Sequence, residues 1–211
     1  MTAAAASHTV NGKSISGPLQ PVGQNLLVKI AEAADTTAGG LILTGSAKEK
    51  PTYGEVVEAG SGKFFPNGMQ VPMSISKGEY VLYGKYGGTD LDYDGDKHTI
   101  VTQDDVLCKL ANGEYSASAV EPILDRLLVK VEESAEETSS GIILSKTAKE
   151  KSTSGKVVAM GPGRFMENGQ TEPPAFAVGD TVFYGKYSGT EVEFGGDAYM
   201  LIRVADVYAK V

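Results

Sequence analysis

Pro21-Val22-Gly23-Gln24-Asn25-Leu26-Leu27-Val28-Lys29 returns 101 positions later as Pro122-Ile123-Leu124-Asp125-Arg126-Leu127-Leu128-Val129-Lys130. The same offset then holds without a gap to the end of the chain. Gly40-Leu41-Ile42-Leu43 falls on Gly141-Ile142-Ile143-Leu144, and Ala47-Lys48-Glu49-Lys50 on Ala148-Lys149-Glu150-Lys151. Asn67-Gly68 falls on Asn168-Gly169, Tyr83-Gly84-Lys85-Tyr86 on Tyr184-Gly185-Lys186-Tyr187, and Asp105-Val106 on Asp206-Val207. A period of about 100 residues is a whole domain rather than a solenoid unit. The 211 residues therefore divide into an N-terminal segment 1–16, a first copy 17–110, a linker 111–118 and a second copy 119–211. Segment 1–16 is expected to be disordered, because its start is Ala-rich and lacks an apolar core.

Each copy reads as short strands. Leu26 to Ile30 is a β-type apolar run. Gly54-Glu55-Val56-Val57-Glu58-Ala59-Gly60 alternates between glycine bounds, and Thr89-Asp90-Leu91-Asp92-Tyr93 alternates at period two, as a half-buried strand does. Asn67-Gly68 and Asn168-Gly169 predict hairpin turns, since both residue types accept positive φ. Many short strands with glycine turns predict an all-β chain of two small, partly closed barrels.

The composition, 41% hydrophobic and 22% charged, suits a soluble globular protein. A net charge of −8 opposes a phosphate backbone, so no nucleic-acid partner is expected. No apolar run approaches the ~20 residues needed to cross a bilayer, so no membrane partner is expected either. Cys108 is the single cysteine and reads as a small buried hydrophobe. His8 and His98 are too few and too far apart in sequence for a metal site or a triad. No nucleophile–base–orienter set can be assembled, so no catalytic residue and no enzyme activity are expected.

Asp90-Leu91-Asp92-Tyr93-Asp94-Gly95-Asp96 has the look of a calcium loop, but Val101 stands at the twelfth position, where a bidentate Glu is required. A metal-binding barrel using Asp90, Asp92, Asp94 and Asp96 is the rival reading from another functional class; a solvated strand and turn is the one adopted, with no metal. Gly60-Ser61-Gly62-Lys63 and Gly161-Pro162-Gly163-Arg164 lack phosphate-loop spacing and read as strand-end turns.

The second copy resembles the co-chaperonin family to which bacterial GroES belongs. Pro122 to Lys130 looks like that family's opening strand. Thr138 to Leu144 with Ala148 to Ser152 looks like its mobile loop, and Gly155 to Gly163 like the strand that follows. Val178-Gly179-Asp180-Thr181-Val182 looks like its late core strand. The double arrangement resembles plastid members of the family, in which two such domains are fused. The resemblance implies two GroES-like barrels, each with a long mobile loop and a roof hairpin. It implies that Leu41, Ile42 and Leu43, with Ile142, Ile143 and Leu144, dock in apolar grooves on the apical domains of a chaperonin 60 ring. Asn67, Gly68, Glu167, Asn168 and Gly169 would form the roof hairpins. ATP would be bound by the partner, with no cofactor here, and the location would be the chloroplast stroma.

The segments from Glu32 to Pro51 and from Glu133 to Ser152 each surround one apolar triplet with small and polar residues, which bury too little surface to offset chain entropy. Docking one triplet gains roughly 3–8 kcal/mol before the ordering cost, so single loops bind weakly and a ring of them binds by avidity. The resemblance also implies that neighbouring domains pair the last strand of one with the first strand of the next, here the strand near Val106 with that near Leu127. Whole chains would then form a tetramer, or a mixed ring with single-domain co-chaperonins. The first copy departs from the pattern at Gln24-Asn25, against Asp125-Arg126, which is expected to cost only local polar contacts. It departs again at Pro66, against Glu167, which removes an acidic group from the first roof hairpin.

Overall fold

A computed structural model describes residues 7–31, 52–84, 87–132 and 153–211. Among these, every regular element is a β-strand or a short 3-10 turn. In the first copy the strands are β3 (Asn25–Ile30), β4 (Thr52–Ala59), β7 (Tyr80–Tyr83), β8 (Thr89–Tyr93), β9 (Asp96–Thr102) and β10 (Val106–Leu110). Their order across the sheet is β8-β9-β3-β4-β7-β10. The second copy has β12 (Arg126–Val131), β13 (Ser154–Met160), β16 (Thr181–Tyr184), β17 (Thr190–Phe194), β18 (Asp197–Arg203) and β19 (Val207–Lys210). Their order, β17-β18-β12-β13-β16-β19, is the same topology. Even the ladder irregularities repeat. The β3–β4 register shifts between Leu27 and Val28, and the β12–β13 register between Leu128 and Val129.

The alternation seen in the sequence becomes inside and outside. Leu26, Val28, Val56, Val81, Val101 and Val106 are buried together in the first copy. Leu127, Val129, Val157, Val182, Tyr184 and Ile202 do the same in the second. Because the β3 and β12 residues of opposite parity, Leu27 and Leu128, are also fully buried, both central strands are covered on both faces.

Two small hairpins stand apart from the sheets: β5 (Lys63–Phe64) with β6 (Gln70–Val71), and β14 (Arg164–Phe165) with β15 (Thr171–Glu172). The glycines ahead of them do form strand-end turns. The amides of Gly60 and Gly62 donate to the carbonyls of Asn25 and Gly23, and those of Gly161 and Gly163 to Arg126 and Leu124. Those amides are therefore occupied and cannot cradle a phosphate.

The N-terminal segment departs from expectation. Residues 7–16 are not disordered but form a hairpin, β1 (Ser7–Val10) with β2 (Lys13–Ser16), in the register Ser7↔Ser16 to Val10↔Lys13. Asn11 (φ 49°) and Gly12 (φ 75°) make the turn, the two positive φ values that a two-residue hairpin loop requires. Asn11-Gly12 is the same signal that marks Asn67-Gly68, and the alternating Thr9-Val10 and Ser14-Ile15 flank it. The hairpin extends the first sheet at β8 through the pair Val10↔Tyr93.

The joint between the copies is a strand pairing. The second copy opens with β11 (Val120–Pro122), which lies antiparallel on β10, with Cys108↔Pro122 and Leu110↔Val120. The pairing partner of β10 is thus β11 and not the strand near Leu127. The chain turns at Leu124, which has φ 52°, and β12 then runs into the centre of the second sheet.

Cys108 is fully buried at this joint, and burial pushes its thiol up to about 12 from an ordinary 9.0, with nearby Arg126 opposing. Burial likewise holds the Tyr115 and Tyr184 phenols up at about 12 from 10.0. An acid whose folded pKa is raised contributes stability that is complete below its unfolded pKa and is lost as pH climbs toward the folded value. The urea midpoint is therefore expected to hold up to about pH 9 and then fall progressively toward pH 12, with Cys108→Ala flattening the first part of the decline. A midpoint as high at pH 11 as at neutrality would contradict this origin.

Candidate functional site

Among the described residues no group of three or more His, Cys, Asp and Glu side chains could hold a metal. The Asp90–Asp96 stretch is a tight hairpin whose turn, Asp94-Gly95, has φ 52° and 87°. Asp94 Oδ2 lies 2.7 Å from His8 Nδ1, and Asp94 Oδ1 accepts the Thr9 amide at 2.7 Å. Asp96 pairs with Lys29 at 2.5 Å. Two of the four carboxylates are thus engaged on opposite sides of the turn rather than converging on a cation. Hydrogen bonding to His8 and Thr9 holds the Asp94 carboxyl below its ordinary range, and Lys29 does the same for Asp96. His8 and His98, remote in sequence, both flank the Tyr93 ring, at 5.6 Å and 5.4 Å between centroids, because the N-terminal hairpin folds back across β8.

What the fold builds instead are two contact surfaces. The first is the pair of small hairpins. In each, an Asn side chain closes the turn: Asn67 Oδ1 accepts the Met69 amide at 3.0 Å, and Asn168 Oδ1 accepts the Gln170 amide at 2.9 Å. Gly68 and Gly169 take φ 84° and 82° at the following position. The hairpins touch one another. Asn67 Nδ2 donates to the Glu167 carbonyl at 2.8 Å. The Phe65 and Phe165 rings stack at 6.4 Å with a 9° tilt. The thioether of Met69 lies against Gly169, so closely that a Cβ there would be 3.1 Å from the sulfur. Asn67, Gly68, Glu167, Asn168 and Gly169, assigned separately to two hairpins, are thus brought into one cluster. Sequence reading did not anticipate Phe65, Phe165 or Met69.

The second surface is the joint. Leu82, Leu107, Cys108 and Leu110 of the first copy pack into one apolar cluster with Val120, Leu128, Val192, Phe194, Tyr199 and Leu201 of the second. At about 1.5–3 kcal/mol for each fully buried aliphatic side chain, the joint is a core and not a swivel. Segment 111–118, expected to be a polar linker, contributes to it. Tyr115 lies 4.8 Å from Phe194 and 6.3 Å from Tyr53, and Ala117 packs beside it. The 3-10 turns Ala111–Gly113 and Ala117–Ala119 hold Tyr115 in place.

Arg126 locks the joint. It is nearly buried, and Nη2 donates to the Asp104 carbonyl of the first copy at 2.6 Å, while Arg203 Nη2 reaches the same oxygen at 3.2 Å. Arg126 of the Asp-Arg pair therefore acts between domains, which corrects the expectation of a merely local role, while the Asp125 carbonyl accepts the Val204 amide within the second copy. In the first copy Asn25 takes that position and reaches only the Val22 carbonyl, at 2.7 Å.

Segments 32–51 and 133–152 depart from both copies at matching places. Ile30↔Gly54 and Val131↔Gly155 are the last ladder pairs before them, and the Ala31 and Glu132 amides donate to the Tyr53 and Ser154 carbonyls. Leu41, Ile42, Leu43, Ile142, Ile143 and Leu144 lie outside the described residues.

Two copies of one six-stranded fold, each with a projecting hairpin and joined strand to edge, define a tandem all-β protein whose working surfaces are edges and tips. The chain belongs to the chaperonin 10 family: the model described as Chaperonin 10 Kd subunit matches residues 18–110 and again 119–211. Among its relatives, the 20 kDa chaperonin, chloroplastic, of Arabidopsis thaliana is 36% identical over 192 residues, covering 90% of this chain and 75% of the relative. That of Spinacia oleracea is 38% identical over 192 residues, covering 90% and 74%. Co-chaperonin GroES of Listeria welshimeri is 50% identical over 90 residues, covering 43% of this chain and 96% of its own length.

Removing the Arg126 guanidinium deletes a charge-assisted bond at a nearly buried position, a loss of about 1.5–3 kcal/mol. Arg126→Ala is expected to lower the denaturation midpoint and to split unfolding into two transitions as the copies uncouple. A single transition at the unchanged midpoint would remove the interdomain role.

Proposed function

We propose that this chain is a co-chaperonin that caps the ATP-bound folding chamber of a chaperonin 60 ring and assists protein folding, through the triplets Leu41-Ile42-Leu43 and Ile142-Ile143-Leu144. Membership of the chaperonin 10 family over both copies is the observation that carries this reading. It agrees with the co-chaperonin and chaperonin names of the relatives. Support also comes from the equivalent departure points of the two loop segments at the ends of β3 and β12, which would present two triplets in the same sense to neighbouring apical domains. The paired hairpins, held by Asn67 and the stacked Phe65 and Phe165, would form part of the roof. ATP binding and hydrolysis fall to the partner, and this chain needs no cofactor.

Assembly follows from the joint. An exposed strand edge is a template for pairing. The edge of β19 away from β16 corresponds to the edge of β10 that receives β11, while Leu19–Pro21, the counterpart of β11, forms no strand. Chains would join head to tail as the copies do, closing a tetramer or a mixed ring with single-domain co-chaperonins. Both named 20 kDa relatives are chloroplastic, and the chloroplast stroma is the compartment proposed here.

Ile42→Ser combined with Ile143→Ser in the full chain is expected to abolish capping, read as native-gel comigration with a chaperonin 60 ring and as modulation of its ATPase, while the circular dichroism spectrum is unchanged. Each single variant should retain reduced binding through the other triplet. Complex formation by the double variant at wild-type level would sink the triplet assignment.

A further inference from the structure

The two ends of the chain are not equally open. At one end lies a face ready for a neighbour. Phe183, Tyr208 and Val211 stand where Leu82, Leu107 and Leu110 stand in the first copy. The latter three are buried in the joint, whereas Phe183 is 41%, Tyr208 77% and Val211 84% exposed.

The other end should show the complementary face. In the second copy that face is Leu128, Val192, Phe194, Tyr199 and Leu201, covered by the last strand of the first copy and by Tyr115. The counterparts are Leu27, Leu91, Tyr93, His98 and Ile100. Of these, Leu27, Tyr93 and His98 are already buried, with no last strand of another copy laid over them. At the Tyr93 end of that face lies the β1–β2 hairpin. His8 stacks on Tyr93 as Tyr115 packs on Phe194, and Tyr93 Oη lies 3.1 Å from His8 Nδ1. Val10 pairs with Tyr93, the Asn11 amide donates to the Asp92 carbonyl, and the Asp94 amide donates to the Thr9 carbonyl. At Tyr115's own counterpart the chain has Ser14, which has no ring to offer.

We infer that the β1–β2 hairpin is an intramolecular cap on the first copy's receiving face, which a second copy of this chain must displace before its last strand can dock there. The inference rests on the head-to-tail assembly proposed above. The cap is light. One ladder pair, one stacked ring and a few mostly exposed polar contacts hold it, so it competes with a docking strand without excluding one. The receiving face is also the weaker acceptor, because Asn25 stands where Arg126 clamps the joint, and the carbonyl it would need to reach belongs to Ala205, the counterpart of Asp104. The hairpin thus raises the concentration at which chains join one another.

The test is a dilution series of the full chain by mass photometry and sedimentation velocity, comparing wild type with His8→Ala/Asp94→Asn, Gly12→Val and Tyr208→Asp. A Cβ at Gly12 meets nothing within 4 Å, so Gly12→Val strains only the turn. Both loosened forms are expected to assemble at roughly tenfold lower concentration than wild type, a change of about 1.4 kcal/mol. The amides of Asn11 and Asp94 should exchange with deuterium faster in the assembled form than in the dissociated one. An unchanged or higher midpoint in both loosened forms, or amides equally protected on assembly, overturns the cap. Tyr208→Asp should block assembly. If it assembles like wild type, the head-to-tail reading fails as well, whereas a block by Tyr208→Asp with no gain from loosening removes the cap alone.

Discussion

A sheet edge left bare by one domain and covered by the next is the constraint on which this molecule depends. Without β11, the outer side of β10 would be an open edge beside Leu107, Cys108 and Leu110, whose apolar side chains would be costly to leave in water. The chain resolves this by laying β11 across it before the second copy begins. The ladder aligns Val120 with Leu110, brings the Phe194 face over the same side chains, and puts Arg126 within reach of the Asp104 carbonyl. The roof contact is compatible with that same placement: with the sheets docked, the tips carrying Asn67 and Glu167 meet.

The same edge logic accounts for the unlike ends. The second copy shows Tyr208 and Val211 to solvent, whereas on the first copy the hairpin of residues 7–16 lies against Tyr93. His8 is the side chain that makes this substitution work, because a flat ring with a polar nitrogen can lie on Tyr93 and also face the Asp94 carboxylate. An aromatic ring also covers the counterpart of Tyr93 in the second copy, where Tyr115 packs at a tilt on Phe194.

The repeat made the topology legible. Because Leu26 to Lys29 and Leu127 to Lys130 match, one reading of strands served twice, and the structure repeats even the bulge after Leu27 and Leu128. The Asn-Gly pairs located the small hairpins. The tertiary contacts between repeats were not legible. Phe65 and Phe165 are off by one in the alignment of the two copies, so no comparison of copies pairs them. Tyr115 lies among small polar residues that resemble a tether, and only its packing shows otherwise. Arg126 looked local because its partner is a backbone oxygen, to which sequence gives no clue. The β1–β2 hairpin was overlooked for a different reason. Its turn signal, Asn11-Gly12, was in plain view, but the alanine-rich start beside it suggested disorder, and the long-range ring contact with Tyr93 that secures it has no short-range signature.

In the closed circle of chains proposed above, Arg126 and Asn25 would make two kinds of seam. Within each chain the seam is covalent and riveted by a guanidinium; between chains it would have neither advantage. A circle with alternating strong and weak seams would part at the weak ones and so come apart into pairs of domains rather than single ones. Any exchange of parts with single-domain kin would take place at those same seams, and a circle's composition would be revised in steps of two by this chain and of one by its kin.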